Sequence, residues 1–294
     1  MEAAPTLTVG VPVFNGALYL EAAVSSVLAQ SFRDFELIIS DNASTDATGE
    51  IGRALAAADP RVTYRRNVEN VGLSGNLNLL VPLARGRLFK WATADDVLRP
   101  GYLETCVAAV DADPAVVLAY PRTDFVDGDG VPLDLEDAGW NVSSADVYER
   151  LRFAIAADHF VNASLGVIRT DALRRTRLMP PYPGGDFRFM AELAIQGTFV
   201  EVPERLYVRR VHGGSTKGNS GNARWLRQHL SGTRPGARAP LWRLSMDRAG
   251  IVARAPIPAG KKVRLFVLLA RTSAYQWRRL ARELPDLLRS DGRR

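Results

Sequence analysis

Two carboxylates, Asp95 and Asp96, stand side by side directly after the apolar run of "RLFKWATADD" (87–96). Adjacent carboxylates repel, and burial sharpens the repulsion. A hard divalent cation, which prefers oxygen ligands, would relieve it. The bland alternative is a helix start, where acidic residues suit the dipole. Other reactive groups fall at the ends of neighbouring apolar runs: Asn15 in "VPVFNG", Asp41, Ser44 and Asp46 in "SDNASTDAT", Asn70 and Asn76 in "NVENVGLSGNLN". Farther on, Asp186 follows two glycines and His212 precedes "GGST". Such carboxylates can bind a cation, accept a nucleobase N–H, or take a proton as a general base. Asp41, Ser44 and Asp46 suit caps and turns equally well. Asp186 suits a helix N-cap.

The elements that must position these groups can be read from periodicity. "TLTVGVPVF" (6–14), "FELIISDN" (35–42), "RVTYRRN" (61–67), "RLFKWATAD" (87–95) and "VVLAYP" (116–121) read as strands. Between them, 16–31, a segment capped at Ser44, 72–84 and 100–113 read as helices, the third stopped near Pro82. Strand and helix alternate four times, which predicts a mostly parallel α/β sheet flanked by helices. Ligands of such sheets lie beyond the carboxyl ends of the strands, where the polar groups cluster. After 121 the pattern loosens. Residues 124–134 are turn-rich, 166–170 and 199–211 read as strands, and 186–197 as a helix closed by Gly197. Residues 213–222 read as a flexible polar stretch.

Several classes are excluded. The first turn has neither a GxGxxG fingerprint nor a Walker lysine motif. The single Cys106 rules out an internal disulfide framework and points to a reducing compartment. The start "MEAAPTLTVGVPVF" lacks a basic n-region and does not read as a signal peptide. No apolar run is long enough to span a bilayer. The sequons at Asn42, Asn141 and Asn162 then read as chance. The expected location is cytoplasmic, with the inner membrane face as a peripheral alternative.

"VPVFNG", "DNASTDAT", "NVGLSGNLN" and "ADD", in this order and spacing, resemble the donor half of a family 2 glycosyltransferase with the GT-A fold. "NASLGVIRTDAL", "GGDFRFMAELAIQG" and "RLYVRRVHGGST" extend the resemblance to the acceptor side, over residues 5–217. It implies a Rossmann-like catalytic domain, 1–217, and an inverting transfer from a UDP- or dTDP-sugar to a saccharide, lipid or small-molecule acceptor. It implies that Pro12, Val13 and Asn15 line the nucleoside pocket, Asp41 meets the base, and Asn70, Gly72 and Asn76 lie by ribose and base. Asp95 would contact ribose or metal-bound water. Asp96 would bind Mn²⁺ or Mg²⁺, with His212 as a second ligand or phosphate contact. Asp186 would be the general base. Two departures stand out: Gly185 replaces an acidic residue before Asp186, and Thr93 replaces the first aspartate of Asp-x-Asp-Asp. Of Arg209 and Arg210, alternation lets at most one face the diphosphate. His159 and His229 read as structural or exposed.

Charge divides the chain. Residues 218–294 carry 17 Lys and Arg against 4 Asp and Glu, while 1–217 carry 21 against 28. The tail reads as a basic helical extension, 218–294. Its amphipathic stretch 261–289 is read either as a membrane-surface element or as a packing element for the catalytic domain or a second subunit. Nucleic acid is not an expected partner, since no recognition motif is present and the body is acidic. Two other functions compete with this one. A nucleotidyltransferase needs a glycine- and lysine-rich loop after the first strand, which "PVFNGALYL" lacks. A catalytically inactive sugar-nucleotide-binding or scaffold protein is disfavoured by intact Asp41, Asp95, Asp96 and Asp186. High Ala and Arg content suggests a bacterial enzyme of polysaccharide, glycolipid or natural-product biosynthesis.

Overall fold

The computed structural model describes residues 4–140, 142–157, 162–215, 218, 219, 222, 229–232 and 239–288. Asn141, His159 and Lys217 at the expected domain boundary lie outside the described residues. The first half is a regular alternation: β1 (Leu7–Val13), α1 (Leu20–Leu28), β2 (Phe35–Asp41), α2 (Thr48–Ala58), β3 (Val62–Arg66), α3 (Gly72–Leu80) and β4 (Leu88–Trp91). There follow β5 (Val97–Leu98), α4 (Tyr102–Asp111), β6 (Val116–Val126), β7 (Pro132–Leu133), α5 (Val147–Ala156), β8 (Val167–Arg169), α6 (Thr170–Arg174), α7 (Gly185–Gln196) and β9 (Thr198–Arg210). Three helices end the chain: α8 (Pro240–Arg254), α9 (Ala259–Tyr275) and α10 (Trp277–Leu288).

One sheet runs in the order β3-β2-β1-β4-β8-β6-β9-β5, with β7 on β6. Its first four strands are parallel, as the alternation predicts. β1 is buried at all seven positions, because helices cover both faces of the sheet. Side-chain alternation feeds two cores: Leu37 and Ile39 point into one cluster, and Ile38 into the other. Each fully buried aliphatic side chain contributes roughly 1.5–3 kcal/mol.

The second half departs from the simple pattern. β8 is only three residues long yet sits between β4 and β6, antiparallel to both. β6 runs to Val126, beyond the expected 121, and pairs in parallel with the 13-residue β9 across register shifts. β4 stops at Trp91, so Asp95 and Asp96 lie on the loop before β5 rather than on the strand. β5 then pairs antiparallel with β9, Val97 opposite Val208 and Leu98 opposite Tyr207. That two-residue pairing carries the Asp95–Asp96 loop to the end of β9.

The C-terminal helices pack on the catalytic fold. Ile251 and Val252 of α8 and Leu265 and Leu269 of α9 belong to the same hydrophobic cluster as Phe189 and Leu193 of α7. Asp247 of α8 accepts hydrogen bonds from the Tyr182 hydroxyl and from Arg177, the latter at 3.0 Å. The tail's inner face is therefore an ordinary packing surface.

Candidate active site

A cleft of about 1760 Å³ opens beyond the carboxyl ends of β1, β2 and β4. Among its lining residues are Pro12, Val13, Asn15, Asn70, Asn76, Asp95, Asp186 and His212. Asp41, Gly72 and Asp96 are not on its wall. Eight of the eleven candidate residues thus share one cavity, and three stand behind it.

The donor-side loops hold one another. Asn15 has a positive φ of 51°, which a short polar side chain tolerates. The Ser44 hydroxyl accepts from the Asn15 amide at 2.9 Å, and Asn15 Oδ1 accepts from the Thr45 amide at 2.8 Å. Asp46 accepts from the Ala17 and Thr48 amides, at 3.1 and 3.0 Å. Ser44 and Asp46 therefore join the turns after β1 and β2. Neither caps α2, whose N-cap is Ala47 without a side-chain bond.

Asp41 is fully buried and already paired. It accepts from the Ser44 amide at 2.8 Å, the Tyr64 hydroxyl at 2.6 Å and Arg66 at 2.7 Å. Burial pushes its carboxyl up, but the bonds from Ser44 and Tyr64 and the Arg66 charge outweigh that and hold it below the usual value. It supports the pocket from behind rather than facing it. The asparagines form a similar lattice: Asn76 donates to the Ser40 carbonyl at 2.7 Å, Asn67 donates to Asn42 and Asn76, and Asn42 donates to Asn70 at 2.9 Å. Asn42, which sequence reasoning passed over as a sequon, lines the cleft at 2% exposure. Asn162 is also buried and bonds Thr123 and Arg209. Burial of both fits the reading of these two sequons as chance.

The two adjacent aspartates take opposite roles. Asp96 is 5% exposed, and its carboxylate accepts from the Thr93 and Tyr207 hydroxyls and, at 2.7 Å, from the Arg210 amide. Burial and the Asp95 charge push its carboxyl up, against Arg209 and the two hydroxyls. Asp95 faces the cleft and meets His212, Oδ2 to Nε2, at 3.0 Å. The His212 ring lies 5.0 Å from that of Tyr19, and the Arg210 guanidinium lies 4.7 Å from the same Tyr19 ring. Arg210 also bonds the Asp95 and Gly128 carbonyls, so Arg209 is the arginine of this pair on the cleft wall. Tyr19 carried no signal beyond its place next to a motif, whereas Thr93 was legible as the departure from Asp-x-Asp-Asp and here bonds Asp96. His229, read from sequence as structural or exposed, also lines the cleft, and burial lowers its pKa.

The donor chemistry of Asp95 and His212 fits a divalent cation. One carboxylate oxygen and one imidazole nitrogen suit Mn²⁺ or Mg²⁺ when the remaining positions go to diphosphate oxygens and water. Among the described residues no cluster of three or more His, Cys, Asp or Glu exists that would cage an ion with protein ligands alone.

Asp186 also lines the cleft, from the first turn of α7. The helix cap is Gly184 at φ 80°, so Asp186 does not serve as the N-cap. Its Oδ1 accepts from the Phe187 amide at 3.1 Å. Burial pushes its carboxyl up, only partly offset by that bond and by the Arg209 and Arg248 charges. A raised carboxyl is suited to proton transfer near neutrality. Gly185 has a steric reason: a Cβ there would lie 2.4 Å from Pro180 Cγ and 2.9 Å from its carbonyl oxygen. A larger residue at 185 would displace Pro180 and, with it, the approach to α7. Tyr182 and Phe187 are also among the lining residues, with the buried Trp91 behind them packed edge-on against Phe189.

A mostly parallel sheet ending in a cleft, with an aspartate–histidine pair and a raised carboxyl among its lining residues, defines a GT-A-type α/β protein. The family model for glycosyl transferase family 2 matches residues 8–174, and the chain belongs to that family. An uncharacterized glycosyltransferase of Haemophilus influenzae is 23% identical over 225 residues, 74% of this chain and 68% of that protein. The chain also matches the chondroitin synthase and the hyaluronan synthase of Pasteurella multocida, but spans only 21% of each. Among solved structures, S. aureus TarS 1–349 in complex with UDP-GlcNAc aligns with TM-score 0.65 at 18% identity, covering 87% of this chain and 69% of that one. The mannosyltransferase PcManGT of Pyrobaculum calidifontis, with GDP-Man and Mn²⁺, aligns with TM-score 0.56 at 21% identity, covering 94% and 81%. These likenesses establish the GT-A fold.

Proposed function

We propose that the protein transfers a sugar from a uridine or thymidine diphosphate sugar to an acceptor hydroxyl, with inversion at the anomeric carbon. The observation that carries this reading is that Asp186 and the Asp95–His212 pair line one cleft. TarS bound to UDP-GlcNAc supports a uridine donor by analogy of fold, while PcManGT bound to GDP-Man and Mn²⁺ supports nucleotide-sugar transfer without the choice of base.

Asp95 and His212 would hold Mn²⁺ or Mg²⁺ there; such an ion, when bound, offsets the charge of a leaving diphosphate. Asp95 takes this role rather than Asp96, whose oxygens are engaged by Thr93, Tyr207 and Arg210. Asp186 accepts the proton of the acceptor hydroxyl while that oxygen bonds to the anomeric carbon. The bond from that carbon to the diphosphate oxygen breaks in the same step, and the diphosphate leaves with the electron pair. One displacement inverts the centre without a protein nucleophile. Arg209 on the cleft wall adds positive charge near the departing group. Pro12, Val13 and Asn15 border the nucleoside, and the asparagine lattice shapes the base side.

Calorimetric titration with UDP, dTDP and GDP, with and without Mn²⁺, tests the proposal. Metal-dependent binding of UDP or dTDP, lost in Asp95→Ala, is expected. Metal-dependent preference for GDP would refute the donor class. Binding unaffected by Asp95→Ala would remove the assigned metal pair.

A further inference from the structure

Helix α9 is apolar on two opposite sides. Leu265 and Leu269 are buried against the catalytic fold. Val263, Phe266, Val267, Ala270 and Ala274 follow one another at i, i+3, i+4, i+7 and i+11, which gathers them on a single stripe facing away from Leu265 and Leu269. All five are exposed, Val263 at 61%, Phe266 at 40% and Val267 at 47%. Just beyond, at the joint with α10, Tyr275 is 90% and Trp277 59% exposed. A helix with two apolar faces ordinarily has both of them covered.

Charge selects what covers it. α9 carries Lys261, Lys262, Arg264 and Arg271 and no acidic residue. α10 adds Arg278, Arg279 and Arg282, with Glu283 and Asp286 following them in its sequence. A two-fold partner seated on the stripe would bring the same basic margins against each other. An anionic bilayer takes up the apolar stripe and attracts the flanking cations together. At 17 residues α9 is about 25 Å long, and no helix among the described residues is long and apolar enough to cross a membrane.

We propose that the outer stripe of α9 docks along the surface of an anionic lipid bilayer. None of the five stripe residues lines the cleft, so this stands independently of the transfer chemistry. Tyr275, Gln276, Arg278 and Arg279 do line it. Docking therefore holds the mouth of the cleft at the headgroup layer, where an acceptor carried on a lipid would enter.

The test is flotation of the full chain with vesicles of phosphatidylcholine containing phosphatidylglycerol, and of phosphatidylcholine alone. Binding to the first only, weakened by salt, is expected. Val263→Gln/Phe266→Gln, at exposed positions, should lose binding while keeping its thermal midpoint. Arg264→Gln/Arg271→Gln should weaken it about thirty-fold, and serves if the first variant misfolds. Absence of binding to either vesicle, or equal binding by both variants, overturns the proposal. Sedimentation velocity supplies the remaining outcome: a dimer that Val263→Gln/Phe266→Gln dissolves, without vesicle binding, assigns the stripe to a second copy and also overturns it.

Discussion

Gly72 and Gly232, far apart in sequence, lie back to back at the donor end of the cleft. A Cβ on Gly72 would sit 2.6 Å from the Gly232 nitrogen, and one on Gly232 would sit 2.3 Å from the Gly72 nitrogen. Both have positive φ, 77° and 61°, a region that only glycine enters without strain. Gly72 thus earns its place as a contact point for the 229–232 segment, not as a group facing a nucleotide. The segment in turn brings His229 and Leu230 to the cleft wall. Gly232→Ala should push this cover away from the Asn70–Gly72 turn. A loss of about 1–3 kcal/mol in urea unfolding is expected, with weaker nucleotide binding. Unchanged stability and binding would show that the two glycines do not need the close approach.

Asp95 and Asp96 separate by experiment because only one is embedded. Asp96→Ala leaves the Thr93 and Tyr207 hydroxyls and the Arg210 amide without their acceptor. It should cost about 2–3 kcal/mol of folding stability, read from chemical unfolding. Asp95→Ala removes a side chain that is 26% exposed and bonded to His212, so its melting point should stay near wild type. Its loss should fall on metal-dependent nucleotide binding. If Asp96→Ala folds normally and alone abolishes the metal dependence, the two roles are reversed.

The sequence carried the parallel half of the sheet plainly, because strand-like and helical stretches alternate there, with β1 and β2 largely apolar even though β3 is mostly polar. The site residues were legible as a set for the same reason: they sit where those runs end. What it could not show is direction and partnership. Asp41 and Asp96 are carboxylates like Asp95 and Asp186, yet the long-range bonds from Arg66 and Tyr207 turn them inward. The placement of β8 between β4 and β6 was equally hidden, since three residues give no period to read. Gly185 was legible as a departure from the family pattern, but its cause, the contact with Pro180, is visible only in three dimensions.

Asp186 links activity and stability through its raised carboxyl. As a base it must be ionised, so transfer should rise with pH through a value above the ordinary 3.8. For stability the sign is opposite. A carboxyl whose pKa is raised on folding stabilises the fold fully below 3.8, and that contribution is lost as pH rises through the folded value. Asp186→Asn should therefore abolish transfer while leaving nucleotide binding intact, and should melt above wild type at pH 7. The difference in melting should narrow as the pH is lowered toward 4. A variant that keeps substantial transfer would exclude Asp186 as the base.

Lys90 makes a second pH prediction, away from the cleft. Its side chain is fully buried, bonded to the Leu165 carbonyl and, at 2.9 Å, to the Tyr102 hydroxyl, with the Tyr102 ring 4.2 Å away. Burial lowers its ammonium from 10.5 to about 7, against the charges of Cys106 and Asp96. Between those values the unfolded chain binds the proton and the folded one does not, so stability rises with pH. Cys106, pushed by burial from 9.0 to about 12, acts in the other direction once the unfolded thiol ionises. The window from pH 7 to 9 therefore isolates Lys90. Lys90→Met should be more stable than wild type at pH 7, since the Leu165 carbonyl keeps its bond from Tyr102 at 3.1 Å. The advantage should shrink toward pH 9, by at most about 1.4 kcal/mol per pH unit. Parallel pH profiles of wild type and Lys90→Met in urea unfolding would mean that Lys90 keeps its proton in the folded protein, with the Tyr102 and Tyr207 rings sustaining the charge.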